Sequence, residues 1–268
     1  MTNKQIKIDK NILIHNRIAN KYEKMHGEIY NEIEQFRLFD NLKLAKSFIE
    51  SDKYSNVALD IGCGAGNLSK HLLELGMSVI ASDVSDGFLD LVKYKFSGRS
   101  IHVVRINGRD LSNIESNSCD FVAVYSVLHH IPDYLHMIEE MARVCAPGGI
   151  VYIDHEPTEN FWKEDRVYED FVKKASKIEW KKYIVFSNYV NRVKRMFNPK
   201  YANEGDIHVW PDDHIEWSVI DKILTKNNFK CVYSVDYLLF KSKYINSVYQ
   251  EYLGKCSDMR SRVYKKSV

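Results

Sequence analysis

The 268-residue sequence predicts an α/β fold: a doubly wound, mostly parallel sheet with helices on both faces. Short apolar runs alternate with helix-periodic segments from Val57 to Ile153, and that alternation implies parallel pairing through right-handed crossovers. The first apolar run passes directly into a glycine turn and a helix, in "VALDIGCGAGNLSKHL" (57–72). After the fifth strand a long helical stretch interrupts the rhythm, which then resumes. One domain with a large insertion accounts for all of this.

The stretch from Arg17 to Glu50 reads as helical, with Ile33, Phe36, Phe39 and Leu42 recurring at helical spacing. Val57–Ile61 is a short apolar strand; Leu68, Leu72 and Leu75 line a helix that Gly76 is placed to stop. Ser78–Ser82, Ile101–Ile106, Phe121–Tyr125 and Ile150–Ile153 are the next strands. Asp86–Phe96 and Tyr134–Cys145 are helices, the second turning Leu135, Ile138 and Met141 inward. His155–Asp213 is mostly helical in pattern and thick with aromatic residues and lysines. A helix carrying Trp217, Ile220 and Leu224 and a strand over Cys231–Phe240 restore the alternation. No final strand is obvious after Phe240; "RSRVYKKS" (260–267) is the candidate. The chain divides into an N-terminal helical lid (1–50), an α/β core (51–157), a helical cover (158–212) and a segment completing the core (213–268).

Bulk properties exclude more than they assign. The 38 basic residues nearly balance 36 acidic ones, a net charge of +2, so there is no general basic excess of the kind DNA binding uses. Five cysteines with no CxxC pair argue against a disulfide framework or zinc site and for a reducing cytoplasm. The polar start "MTNKQIKIDKN" lacks a signal-peptide core, and no apolar run approaches the ~18 residues of a membrane span.

Gly62, Gly64 and Gly66 permit unusual backbone angles and let a ligand approach the chain closely. The helix that follows brings its N-terminal N–H groups to the same spot. Asp83 ends the second strand ~20 residues beyond the first glycine, where a ribose-hydroxyl acceptor belongs. A dinucleotide loop needs glycine at the position of Asn67, and a pyrophosphate would sit badly beside Asp60, whereas a cation would sit well. A ligand-free turn is the plainer alternative for the loop, and a helix cap for Asp83.

Four blocks in order, "LDIGCGAG", "VIASDVS", "SCDFVAVYSVLHHIPD" and "CAPGGIVYID", resemble the class I S-adenosylmethionine-dependent methyltransferases over Ser55–Pro157. The resemblance implies a Rossmann-like sheet, S-adenosylmethionine as cofactor and S-adenosylhomocysteine as product. It places Gly62, Gly64 and Gly66 around the methionine end, with Asp60 near the ammonium group. Asp83 falls on the ribose hydroxyls, Val84 on adenine and the Ser126 backbone beside the methionine part. An aspartate that in relatives often accepts from the adenine amine falls at Asn107, beside Gly108 in "INGRDL". Asparagine also accepts through its carbonyl, and Asp110 is the other candidate. In similar small-molecule enzymes a tyrosine on an N-terminal helix closes over the cofactor, which nominates Tyr22; packing against the sheet is the plainer role.

A sulfonium methyl group is already activated, so the protein mainly aligns the acceptor, and a general base adds roughly 10²–10⁴-fold. His155, after the fifth strand, is the preferred base. His130, beside His129 after the fourth strand, and His208 and His214, flanking "VWPDD", are its rivals. No nucleophilic Pro-Cys pair, amino-methylating N/D-P-P-Y/F block or magnesium-binding aspartate cluster is evident, so metal-independent transfer to oxygen is expected. Lys173, Lys174, Lys177, Lys181, Lys182, Arg192, Lys194 and Arg195 suggest an anionic acceptor such as a nucleotide-linked sugar; a solvated helix face is the plainer reading. The expectation is a cytoplasmic methyltransferase acting on a small polar molecule. RNA methylation, a cofactor-binding regulatory protein that has lost transfer and, more distantly, a nicotinamide oxidoreductase are the alternatives.

Overall fold

Successive residues of a strand face opposite sides of a sheet, and here both sides are covered. The structure, a computed structural model, describes residues 3–49, 56–159, 165–175 and 215–268. Its strands are β1 (Val57–Ile61), β2 (Ser78–Asp83), β3 (Ile101–Arg105), β4 (Cys119–Tyr125), β5 (Cys145–Pro157), β6 (Phe229–Tyr237) and β7 (Met259–Lys266). They form one sheet in the order β3-β2-β1-β4-β5-β7-β6. All neighbours pair parallel except β7, which is antiparallel to β5 and β6. The "RSRVYKKS" segment thus lies in the final strand. The strand over Cys231–Phe240 is shifted: β6 ends at Tyr237, and the Leu239 N–H turns instead to the buried Asp258 carboxylate, at 2.7 Å.

The helices are α1 (Asn3–Ile18), α2 (Tyr22–Met25), α3 (Glu32–Ser47), α4 (Asn67–Glu74), α5 (Asp86–Lys95), α6 (Tyr134–Val144), α7 (Arg166–Ala175), α8 (Trp217–Lys226) and α9 (Asn246–Tyr252). On one sheet face Leu59, Ile61, Val122, Val124 and Ile153 pack against Met137, Ile138 and Met141 of α6 and Trp217, Ile220 and Leu224 of α8. Leu135 is only partly buried there. On the other face Ala58, Ala81, Phe121 and Tyr152 meet Leu38 and Leu42 of α3 and Leu68 and Leu72 of α4.

The N-terminal segment departs from expectation. Asn31 starts α3 by accepting the Glu34 N–H at 3.0 Å, a helix cap. Ile33 and Phe36 are exposed (42% and 71%), while Glu34, Leu38, Asn41, Leu42 and Ala45 are buried. The face that docks is therefore partly polar, because it builds a site as well as a core. In the insertion, Lys173 and Lys174 of α7 pair with Glu169 (3.9 Å) and Asp170 (2.7 Å) on a solvated face. Lys177, Lys181, Lys182, Arg192, Lys194, Arg195, His208 and His214 lie outside the described residues. Strand order reverses between β1 and β4, and the crevice at their carboxyl ends is where such sheets bind ligands.

Candidate active site

Gly62, Gly64 and Gly66 take φ of +69°, +49° and +87°, values L side chains resist. A Cβ on Gly62 would come within 2.7 Å of the Val127 side chain, and one on Gly66 within 2.6 Å of the Phe96 ring. The turn is thus closed against the loop after β4 and the end of α5, and its Cys63 and Gly66 N–H groups are bonded to the Ser82 and Cys63 carbonyls (2.9 and 2.8 Å). Asp83, 5% exposed, accepts the Gly64 N–H at 3.0 Å and the Ser85 N–H at 2.8 Å. Burial raises its carboxyl above the usual range. Asp60 accepts from the Ser69 hydroxyl at 2.6 Å; burial, opposed by the Ser69 bonds and aided by Asp83, pushes it up to about 7.

Two adjoining pockets open on this turn. One lies between Asp83, Val84, Ile106 and Gly108 and, across from them, Ile8, Asn11 and His15 of α1. The other lies among Tyr30, Asp60, Cys63, Asn67 and Tyr125. Tyr22, Gly62, Gly64, Ser126 and Val127 line both. Among the described residues no lysine or arginine lines either one. Two buried carboxylates without a counter-cation suit a ligand of net positive charge, as S-adenosylmethionine is with its sulfonium and ammonium groups. Two buried side-chain atoms here lack a hydrogen-bond partner, Asn11 Oδ1 and Asn67 Nδ2, as polar groups awaiting a ligand do. The residues fit the cofactor.

Asn107 does not join them. It is exposed; its carbonyl accepts the Arg109 and Asp110 N–H groups (2.7 and 3.0 Å), and its amide donates to Asp110 Oδ1 (2.9 Å). The Asn107 carbonyl and Asp110 Oδ1 are thus engaged within their own turn, while Gly108 does line the pocket. His130 lines the same pocket and not the cavity described next. Its neighbour His129 is held by Glu156, which also accepts the Val127 and Leu128 N–H groups (2.8 and 2.7 Å). Glu156 thereby fixes the loop after β4, a role the sequence did not signal.

The end of β5 builds the other half of the site. Ser126 and His155 both have φ of +59°, uncommon for residues with side chains and frequent where function holds the backbone. The Asp154 carboxylate accepts from Arg37 (3.1 and 3.3 Å), from Tyr237 (3.2 Å) and from the Tyr152 hydroxyl. Glu34 receives Arg37, the Tyr125 hydroxyl at 2.8 Å and His155 Nδ1 at 3.3 Å. Burial alone would raise Glu34, but the Arg37 and His155 hydrogen bonds hold it at about 2. The Arg37 guanidinium lies 3.8 Å from the Tyr237 ring centre. Beyond Glu34, Arg37 and Tyr237 opens a cavity of about 520 Å³, closed by Asp165, Asp236, Leu238, Tyr249 and Lys255. Tyr125 lines the methionine-end pocket and its ring centre lies 4.9 Å from that of His155, so it joins the two halves. Glu34 was missed because apolar periodicity points away from it.

Residues 59–153 match the methyltransferase domain family. The chain is 28% identical over 201 residues to a demethylmenaquinone methyltransferase of Staphylococcus saprophyticus, covering 68% of this chain and 82% of that one. It is 32% identical over 96 residues to a ubiquinone biosynthesis O-methyltransferase of Hahella chejuensis, covering 35% and 41%. The fold is similar to that of magnesium protoporphyrin IX methyltransferase from Synechocystis PCC 6803 with bound SAM. That likeness has a TM-score of 0.56 at 15% identity, over 100% of this chain and 99% of that one. By its domain match, its ordered motifs and its sheet, the chain belongs to the class I S-adenosylmethionine-dependent methyltransferases, with S-adenosylmethionine as its cofactor.

Proposed function

We propose that the enzyme methylates a hydroxyl group of a small polar acceptor seated in the cavity between α3, the end of β6 and the β6–β7 connection, with His155 as general base. The observation that carries this reading is the contact of the buried His155, through Nδ1, with Glu34 at 3.3 Å, since Glu34 lines the cavity. With its Nδ1 proton on Glu34, the imidazole presents Nε2 as the basic nitrogen. A proton taken there leaves the imidazolium beside the Glu34 carboxylate. The bound cofactor supplies the activated methyl group. Asp60, the glycine turn, Asp83, Val84, Gly108, the Ser126 backbone and Tyr22 hold it and keep water out.

The cavity narrows the acceptor. Glu34, Asp165 and Asp236 outnumber Arg37 and Lys255 on its walls, which suits an uncharged, hydroxyl-bearing molecule better than an anionic one. The name of the Hahella relative, an O-methyltransferase, supports oxygen as the atom methylated. A nucleotide-linked sugar has less support, since the relatives are named for demethylmenaquinone and ubiquinone rather than for a sugar.

The test is label transfer from methyl-tritiated S-adenosylmethionine to parallel panels of catechols, neutral glycosides, amines, nucleotide sugars and total RNA. Label in an uncharged hydroxyl compound, reduced at least 100-fold in His155→Ala, is the expected result. Label only in amines, nucleotide sugars or RNA would overturn the reading.

A further inference from the structure

We propose that Asn67 binds the carboxylate of the cofactor's aminoacyl tail through its side-chain amide. Asn67 is the first residue of α4 and only 9% exposed. Its Oδ1 accepts from Gln35 Nε2 at 2.8 Å. Gln35 is itself oriented: Nε2 also donates to the Ile29 carbonyl at 3.0 Å, and Oε1 faces His71 Nε2 at 2.9 Å. That network fixes which end of the Asn67 amide is which. The oxygen is occupied, and the amino group is enclosed without a partner in a residue that lines the pocket also holding Asp60 and Tyr30.

A buried donor without an acceptor is unfavourable, so the geometry points to a ligand that supplies one. The aminoacyl end of S-adenosylmethionine carries a sulfonium, an ammonium and a carboxylate, and of these only the carboxylate accepts. Asp60, a buried carboxylate on the same wall, suits the ammonium instead. The N-terminus of α4 adds its dipole in the same direction, and Gly66 at its cap contributes no side chain to compete. No lysine or arginine lines either pocket among the described residues. The same side chain that breaks the dinucleotide glycine pattern thereby gains a positive role. This inference concerns the cofactor alone and holds whatever the acceptor is.

Calorimetric titration of the whole protein with S-adenosylhomocysteine and with its decarboxylated analogue, which keeps the amine, tests it. The wild-type protein is expected to prefer S-adenosylhomocysteine by about 10- to 100-fold, the scale of a hydrogen bond to a charged group. Asn67→Ala should remove that preference, weakening S-adenosylhomocysteine while leaving the analogue within about twofold. Asn67→Asp keeps the shape and the Gln35 bond but faces one carboxylate with another. It should bind the analogue at least as well as wild type and S-adenosylhomocysteine more weakly than Asn67→Ala does. Equal wild-type affinity for the two ligands would overturn the proposal even if neither variant folds. So would an Asn67→Ala variant that weakens both ligands alike.

Discussion

Replacing Asp60 by asparagine keeps the shape of the side chain and its acceptor for the Ser69 hydroxyl while removing a buried charge. Burial lifts the Asp60 carboxyl from 3.8 to about 7, against the pull of Ser69 and with a push from Asp83. At about 1.4 kcal/mol per unit, three units set an upper value of about 4 kcal/mol. The sign follows from proton binding: the folded protein holds this proton more tightly than the unfolded chain does. Stability therefore falls as pH rises from about 4 to about 7, and above 7 the full cost remains.

Asp60→Asn should consequently stabilise the ligand-free protein at pH 8, raising its melting temperature by about 5–10 °C at roughly 2–4 °C per kcal/mol. At pH 5 about a third of that gain should remain, because wild-type Asp60 is then largely protonated. The same variant should lose the stabilisation that S-adenosylhomocysteine gives wild type, about 2.7 kcal/mol at a hundredfold excess over Kd. Thermal melts at pH 5 and pH 8, with and without the ligand, read all of this. A variant less stable than wild type at pH 8, a gain independent of pH, or a retained ligand shift would each refute the assignment of Asp60 as a desolvated anchor for the ammonium group.

His155→Ala should lower kcat by about 10²–10⁴-fold and leave the Kd of S-adenosylhomocysteine within about twofold, read by turnover and titration on one preparation. Glu34, held at about 2 rather than 4.5, contributes stability that is full above about pH 4.5 and lost toward pH 2. Glu34→Gln should therefore cost about 3 kcal/mol at pH 7 in urea unfolding, with the difference closing as pH falls through that window. Asn11 lines the pocket that holds Asp83 and Val84, and its Oδ1 is buried without a partner, which makes it the acceptor to test against the adenine amine. Asn11→Leu should weaken S-adenosylhomocysteine about tenfold and leave S-inosylhomocysteine, which has a carbonyl at that position, unchanged in a competition assay.

The parts of this site legible in the sequence are those that the backbone dictates. A strand running into Gly62-x-Gly64-x-Gly66 and an acidic residue closing β2 are local patterns, and the structure gathers them at the switch point. The final strand, Met259–Lys266, was not obvious in the sequence, where the RSRVYKKS segment was only a candidate. What stayed hidden depends on tertiary packing. Apolar periodicity located α3 but could not show that Glu34 and Asn41 share its buried face with Leu38 and Leu42. Glu156 and the Tyr125 contacts join residues 27 to 91 positions apart, which no local pattern records. Asn107 failed for a different reason: counting back from Leu111 finds the position, but a short polar side chain followed by Gly108 prefers to close its own turn.

Tyr125 explains how the two halves act together. Its ring separates the pocket holding Asp60 from the cluster of Glu34, Arg37, Asp154 and His155, and burial keeps its phenol protonated well above the ordinary range. A neutral donor there holds Glu34 in place while insulating one set of carboxylates from the other. Methyl transfer from a sulfonium to a hydroxyl removes a positive charge from the cofactor side and delivers a proton to the acceptor side. In the proposed reaction the charge begins beside Asp60 and Asp83 and ends on His155, beside Glu34. Loss of the sulfonium charge weakens the hold of Asp60 and Asp83 on the product relative to the cofactor. The distribution of buried carboxylates on either side of one tyrosine thus favours both the forward proton transfer and the exchange of product for fresh cofactor.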